Sequence, residues 1–207
     1  MSLPEPPAPA GLAGRQDVAS ATRDGPARFS GWNLTAADLS RLDLQGCVFE
    51  RCRAGQANFA NAGLAETQFL GCDLNNSRWA GASLSSAVFR DCKLTGALLG
   101  EIRSFGLTFE RCLLVSAQLP GFSFRRQTLD GVDFQGADLA EADFREAVLT
   151  DCNLKDANLA RARFEGADLR GAEIGPIAAG DLPRFKGALI SRAQAAIIAG
   201  GLGLKVV

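Results

Sequence analysis

Residues 133–173 read DFQGADLAEADFREAVLTDCNLKDANLARARFEGADLRGAE, in which one pattern recurs every five residues. Cut into fives, each block begins with a short polar residue or its substitute. Leu or Phe follows, and Ala or Cys stands two positions before the next Leu or Phe. We call the Leu or Phe position the centre. A period of five matches neither an α-helix nor an ordinary β-strand, so a repeat architecture is indicated.

The same frame extends over residues 29–174. It contains 30 centres, of which only Ala54 and Ser104 are not large and apolar. The position two before the centre is Ala or Cys in 21 of these 30 blocks. A chain that buries two residues of every five and then turns winds into a coil. Because one coil cannot bury its own core, stacked coils must cover one another.

This pattern resembles the pentapeptide-repeat family, whose repeat is described as A(D/N)LXX, over about 145 residues. The resemblance implies an all-β fold, a right-handed quadrilateral parallel β-helix with four pentapeptides per coil. Thirty blocks then form about seven and a half coils. At the ~4.8 Å spacing of stacked strands, the rod is roughly 36 Å long.

Three segments follow from the limits of the frame. Residues 1–25 are rich in Pro and Ala, which predicts a flexible leader. Residues 26–175 form the β-helix. Residues 176–207 are predicted to form a C-terminal capping and dimerisation segment, in which the frame resumes, shifted by one residue, at Phe185. A short helix over residues 192–199 is predicted by the N-cap signal before it and the Gly-Gly stop after it.

The C-terminal segment, GALISRAQAAIIAGGLGLKVV, resembles the end of the Qnr and MfpA group. The match lies at Gly187, Ala188, Ile190, Gln194, Ala195, Leu202, Gly203, Leu204 and Val206. In that group the rod dimerises through its C-terminus. The resemblance therefore implies a homodimer, whose interface we assign to Ile190, Ala195, Ile198, Leu202, Leu204 and Val206.

The C-terminal half of the frame is the acidic half. Residues 120–175 hold eleven Asp or Glu against seven Lys or Arg, a net charge of −4. Residues 28–119 hold eight against nine, a net charge of +1. A partner-binding acidic surface is predicted at Asp133, Asp138, Glu141, Asp143, Glu146, Asp151 and Asp156. The Asp residues directly before a centre are also expected to accept bonds from turn amides, as Asx turns do.

The resemblance implies a protein that mimics DNA and binds DNA gyrase or topoisomerase IV. Such a protein protects the enzyme from topoisomerase-directed antibiotics or inhibits it, giving resistance or self-immunity. The net charge of −1 and the lack of a basic surface argue against direct nucleic-acid binding. A structural scaffold that binds another partner is the alternative.

No enzyme, cofactor or membrane role is expected from the sequence. The chain has no His and no Tyr, and its acids stand at repeat positions rather than in one motif. No apolar run approaches the ~20 residues that span a bilayer. The N-terminus lacks the pattern of a secretory signal, so we expect a cytoplasmic protein.

All six cysteines stand at the small position of the repeat. A metal or redox ladder is one interpretation, and small buried residues that replace Ala are the other. We favour packing and expect no metal, because the chain lacks both His and any Cys-x-x-Cys pair.

The frame is least regular over residues 100–128. Ile102 and Phe122 stand at small positions, and Ser104 stands at a centre. Either larger side chains repack one side of the rod, or this level forms a bend or a protruding corner that contacts a partner.

Overall fold

The computed structural model describes residues 2–205, which form a four-sided parallel β-helix closed by a helix at each end. One side carries eight stacked strands in chain order. The strands β1–β8 are Arg28–Ser30, Val48–Glu50, Gln68–Leu70, Val88–Arg90, Thr108–Glu110, Thr128–Asp130, Val148–Asn153 and Asp168–Glu173. The predicted fold class is confirmed.

Neighbouring coils pair in parallel with a step of twenty residues. Phe29 pairs with Phe49, and Phe49 pairs with Phe69. We name the strand-bearing side face A. Faces B, C and D follow in chain order, and their first bridges are Asn33↔Arg53, Asp38↔Asn58 and Asp43↔Gly63. Residues twenty apart therefore stack along the rod, whereas residues five apart point to neighbouring sides.

Each corner of the coil places one residue in the left-handed region of the backbone. Arg51, with φ of 51°, and Gly131, with φ of 61°, are examples. A chain that must turn after every five residues needs this conformation repeatedly. Glycine adopts it without steric cost, whereas other residues are held there by the stacked coils on either side.

The core consists of the centres and small positions that the frame predicts. The aromatic centres stack at 4.7–5.2 Å, close to the strand spacing, which shows that the rings follow the coil repeat. The aromatic column lies on face A in the N-terminal part and on face D in the C-terminal part. Its members are Phe29, Phe49, Phe69, Phe89 and Phe109, then Phe124, Phe144, Phe164 and Phe185.

The N-terminal leader, for which the sequence predicts flexibility, contacts the first coil and caps the rod. Helix α1 spans Arg15–Ala21, and Val18 is fully buried. The Ala13 amide donates to the Asn33 carbonyl at 2.7 Å. The first coil has no coil beneath it, so its apolar end and its unpaired backbone groups are stabilised by a capping segment.

The C-terminal cap starts with a 3₁₀ helix over Ala179–Phe185. Phe185 stacks on Phe164 with a ring distance of 4.7 Å, so the frame does resume with a shift of one residue. Helix α2 follows over Arg192–Gly201, two residues longer than predicted at its end. The Ser191 side chain accepts from the Gln194 amide, which confirms the N-cap. None of the helices within residues 2–205 is long and apolar enough to span a bilayer.

Candidate partner-binding surfaces

The predicted acids encircle the rod instead of forming one surface. Glu141, Glu146, Asp151 and Asp156 occupy four successive corners of the same coil, with φ of 62°, 59°, 50° and 58°. Because the corners of a four-sided coil point in four directions, no flat partner can contact all four. The structure therefore divides the acids assigned from the sequence between different sides of the rod, since acids five residues apart turn around the axis.

Arginines pair with the predicted acids on face D and its two corners. Glu146 accepts bonds from Arg125 at 3.1 Å and from Arg126 at 2.8 Å. These two guanidinium groups, Arg126 foremost, hold the pKa of Glu146 below its usual range. The remaining pairs on this side are Glu141–Arg161, Asp143–Arg145 and Arg163–Glu165.

Four of the predicted acids lie on the other side of the rod and keep their charge uncompensated. Asp151 is at the corner of faces A and B, Asp133 on face B, Asp156 at the corner of faces B and C, and Asp138 on face C. No ion pair involves them among residues 2–205. The nearby Lys155 pairs with Glu173 at 2.9 Å. We call Asp133, Asp138, Asp151 and Asp156 the acidic surface.

The Asp residues before the centres also support the corners. The side chains of Asp133, Asp138, Asp143 and Asp168 each accept a bond from the amide two residues later, at 2.9–3.2 Å. This arrangement confirms the predicted Asx turns. Asp138 additionally accepts from Asn158 of the next coil at 2.9 Å. These carboxylates therefore stabilise the corners and also contribute to the surface charge.

The C-terminal segment carries most of the exposed apolar side chains. Of the predicted interface residues, Ile190 and Leu202 are 38% and 37% exposed, Leu204 is 62% exposed, and Ala195 is exposed. Ile198 instead packs partly buried against the core, and Val206 lies outside the described residues. Three further exposed residues, Leu182, Leu189 and Ile197, were not assigned from the sequence.

Ile197 was not assigned from the sequence because it lies outside the apolar stripe that the sequence favours for the contact. The sequence favours a stripe through Ala195, Ile198 and Leu202. In the structure Gln194 faces the rod and is buried. Its amide nitrogen donates to the carbonyls of Leu169 and Ala172, both at 2.6 Å. These bonds cap the last coil and rotate Ile197 outward, where it is 51% exposed.

An apolar cavity of about 530 Å³ remains at the C-terminal end of the rod. It is lined by Leu154, Leu159, Phe164, Phe185 and Ile197, among others. Leu159 and its neighbour Ala157 are only partly buried, because the cap covers the last coil incompletely. The apolar end of the rod thus continues into the exposed face of α2.

The cysteines are packing residues. All six are free and buried, and no group of metal-binding side chains occurs within residues 2–205. The Cys72 thiol donates to the Phe49 carbonyl at 3.2 Å. Burial raises the pKa of Cys47, and it raises that of Cys152 to about 11. A buried thiol with a raised pKa, as at Cys47 and Cys152, is a poor nucleophile and a poor metal ligand.

Thiol accessibility tests this interpretation. We expect the native protein to react negligibly with Ellman's reagent at pH 8 over minutes, whereas all six thiols react in denaturant. The reason is that the reagent needs an accessible thiolate. Absorbance at 412 nm follows the reaction. Rapid reaction of the native protein, or stoichiometric zinc binding, would contradict the packing role.

The fold and repeat define the class of protein. A parallel β-helix with five residues per side is the architecture of pentapeptide repeats, and the family's sequence profiles agree. The pentapeptide repeat region matches residues 26–99, and pentapeptide repeats (8 copies) match residues 109–145 and 137–174. The chain belongs to the pentapeptide-repeat family.

Two solved structures of QnrB1, a plasmid-mediated fluoroquinolone resistance protein, share this fold. A trypsin-treated variant gives a TM-score of 0.78 at 20% identity, covering 87% of this chain and 91% of that chain. The full-length form gives 0.74 at 19% identity, covering 86% and 91%. HetL of the cyanobacterium Nostoc, involved in heterocyst differentiation regulation, gives 0.41 at 22% identity, covering 86% and 92%. No curated protein sequence matches the chain.

Proposed function

We propose that this protein is a cytoplasmic, non-catalytic DNA mimic that binds DNA gyrase or topoisomerase IV at the surface that normally holds DNA. The acidic surface carries the proposal. Its four carboxylates lie on two neighbouring coils, which rise about 10 Å along the rod, or about 2.4 Å per charge. Duplex DNA carries one charge per ~1.7 Å of its axis, so the local charge density is comparable.

The likeness to QnrB1 supports the same conclusion at the level of shape. QnrB1 confers resistance to fluoroquinolones, which supports an antibiotic-directed role for a rod of similar fold and length. A rigid rod that occupies the DNA surface excludes DNA by steric overlap. It would thereby inhibit the enzyme, or protect it by releasing the drug-bound cleaved complex. The mechanism needs no bond-making step by the rod itself.

The apolar C-terminal end supports a homodimer as part of the proposal. A two-fold contact through α2 would cover the cavity and the exposed Ile197, Leu202 and Leu204. Exposed apolar surfaces of this kind usually mark interfaces. The dimer would double the length of the rod and bring the acidic surface of each copy toward the centre of the assembly.

A scaffold that binds a different protein is the second candidate. The ion-paired side formed by face D and its corners favours it, because that surface is nearly neutral and resembles no nucleic acid. The formal net charge of −1 per chain points the same way.

Neutralising the acidic surface separates the two candidates. We expect Asp151→Asn with Asp156→Asn to raise the concentration needed to inhibit gyrase supercoiling about three- to tenfold at low salt. Exposed charge pairs are worth ~0.2–1 kcal/mol each. A salt series is the readout, with and without a quinolone, because surface contacts weaken as salt screens them.

The matched control is Glu141→Gln with Glu146→Gln, which removes the same charge from the same coil on the other side. We expect a change below about twofold, with thermal unfolding recorded for both variants. Equal effects of the two pairs would mean that total charge, not this surface, governs binding. If the wild-type protein affects neither supercoiling by gyrase nor decatenation by topoisomerase IV, nor drug-induced cleavage by either enzyme, both topoisomerases are excluded and the scaffold remains.

A further inference from the structure

The backbone ladder opens at one level of the rod. At other levels of face D, each centre amide bonds to the next coil, as Leu84 does to the Arg103 carbonyl at 2.7 Å and Phe124 to the Asp143 carbonyl at 2.8 Å. Among residues 2–205, the amides of Ser104, Gly106, Ser123 and Thr128 lack the corresponding bond to the neighbouring coil. Strand β5 is likewise joined to β6 only through Glu110 and Asp130.

Bulky side chains account for this opening. Phe122 occupies a position that is Ala in the two coils after it, and it is 5% exposed inside the wall. Ile102 stands above it at the equivalent position. The two large side chains stack at a position where the neighbouring coils have small ones. They push the walls of the two coils apart, and the hydrogen bonds between these walls are lost.

The corner beside this opening carries Phe105, whose side chain is 87% exposed. Equivalent positions in the preceding and following coils are Ser85 and Arg125. An exposed Phe forgoes the stabilisation that burial of such a side chain provides. The Phe105 ring does not pack in the core of the rod, whereas the ring of the neighbouring Phe109 is buried there.

Arginines border the exposed ring. Arg103 lies two residues before Phe105, is exposed, and takes part in no ion pair within the described residues. Arg125 follows in the same column and remains 41% exposed while it contacts Glu146. Aromatic residues, Phe among them, and Arg are enriched in protein–protein interfaces, and Arg is also enriched among binding hot spots.

We propose that Phe105 anchors a second contact, in which a partner protein receives the ring in an apolar pocket bordered by carboxylates. Arg103, which has no ion-pair partner within the described residues, disfavours a basic, DNA-binding surface as the receptor, because like charges would face each other. This corner lies between faces D and A, away from the acidic surface. This proposal rests on the proposed function, and it places the pocket on a part of the topoisomerase outside the DNA-binding surface. The unpaired amides of Ser104 and Gly106 remain available to carbonyls of the same partner.

Phe105→Ser tests the anchor, because Ser is the residue of the preceding coil in that column. We expect at least about a tenfold loss of affinity for the DNA gyrase holoenzyme, equal at low and high salt, since an apolar contact is not screened. Thermal unfolding should stay unchanged, because the ring is exposed. The control is Leu98→Gln at the same level on face C, where Gln118 follows in the column. It should bind within twofold of the wild type.

A reversal of rim charge tests the chemistry of the pocket. Arg103→Glu should weaken binding most at low salt if carboxylates surround the pocket. Stronger binding by this variant would overturn the acidic rim. If Phe105→Ser binds like the wild type while the Asp151→Asn and Asp156→Asn variant is weakened, the anchor is refuted and the DNA mimic stands. A wild-type protein that binds neither gyrase nor topoisomerase IV refutes both.

Discussion

Phe144→Asp is expected to abolish cooperative folding of the rod. Phe144 is fully buried and stacks between Phe124 at 4.7 Å and Phe164 at 4.8 Å. Removing the ring alone costs about 3–5 kcal/mol. Leaving an unpaired carboxylate in the core adds several kcal/mol more. The sum approaches the ~5–15 kcal/mol that stabilises a whole domain, so circular dichroism should record a lost or much lowered thermal transition.

Phe144→Leu is the matched control. Leu occupies the same column at Leu64 and Leu84, so the coil accommodates its shape. We expect the free energy of unfolding to fall by about 1–2 kcal/mol with a single transition, since Leu retains part of the apolar contact. A Phe144→Asp protein that melts like the wild type would contradict the inward direction of this side chain.

Deletion of residues 187–207 is expected to yield monomers and to remove any effect on gyrase. The deletion removes the Gln194 bonds to the Leu169 and Ala172 carbonyls and uncovers Ile174. It also removes the exposed apolar face of α2, which we propose as the dimer contact. Sedimentation velocity measures the mass, and supercoiling measures the activity. A truncated protein that still sediments as a dimer would exclude this interface.

Loss of the cap also destabilises the last coil, so a point variant must separate folding from association. Ile197→Glu leaves Gln194 in place and changes a residue that is 51% exposed. We expect normal melting together with a dimer dissociation constant raised at least about tenfold, because a charge enters an apolar contact. Unaltered dimerisation of this variant would place the contact elsewhere.

The frame predicted the inside of the rod because packing imposes it on every coil. Phe144 and Leu154 must face inward, since two residues in five have to avoid water and only stacking provides the cover. The shifted return at Phe185 was predictable for the same reason, because its ring had to continue the column through Phe164. The Asx turns followed from the chemistry of a short carboxylate beside a corner.

The surface and the ends could not be predicted in the same way. Glu146 and Asp151 look alike in sequence, yet one meets two arginines and the other meets none in the described chain. That difference depends on neighbours twenty residues away and on the rotamers they adopt. The helix within the leader could not be predicted, because Val18 gains its burial from the open first coil, which no local pattern reveals.

The step of twenty residues between paired strands sets a rule for changes in chain length. An insertion of twenty residues adds one coil, which lengthens the rod by about 4.8 Å, and leaves every later side chain on the same face of the rod. An insertion of five residues rotates everything beyond it by a quarter turn. Asp151 would then exchange its corner for that of Asp156, and the distribution of charge around the rod would turn with it. Duplication of a whole coil therefore changes the length of the rod and leaves the direction of every side chain around the axis unchanged.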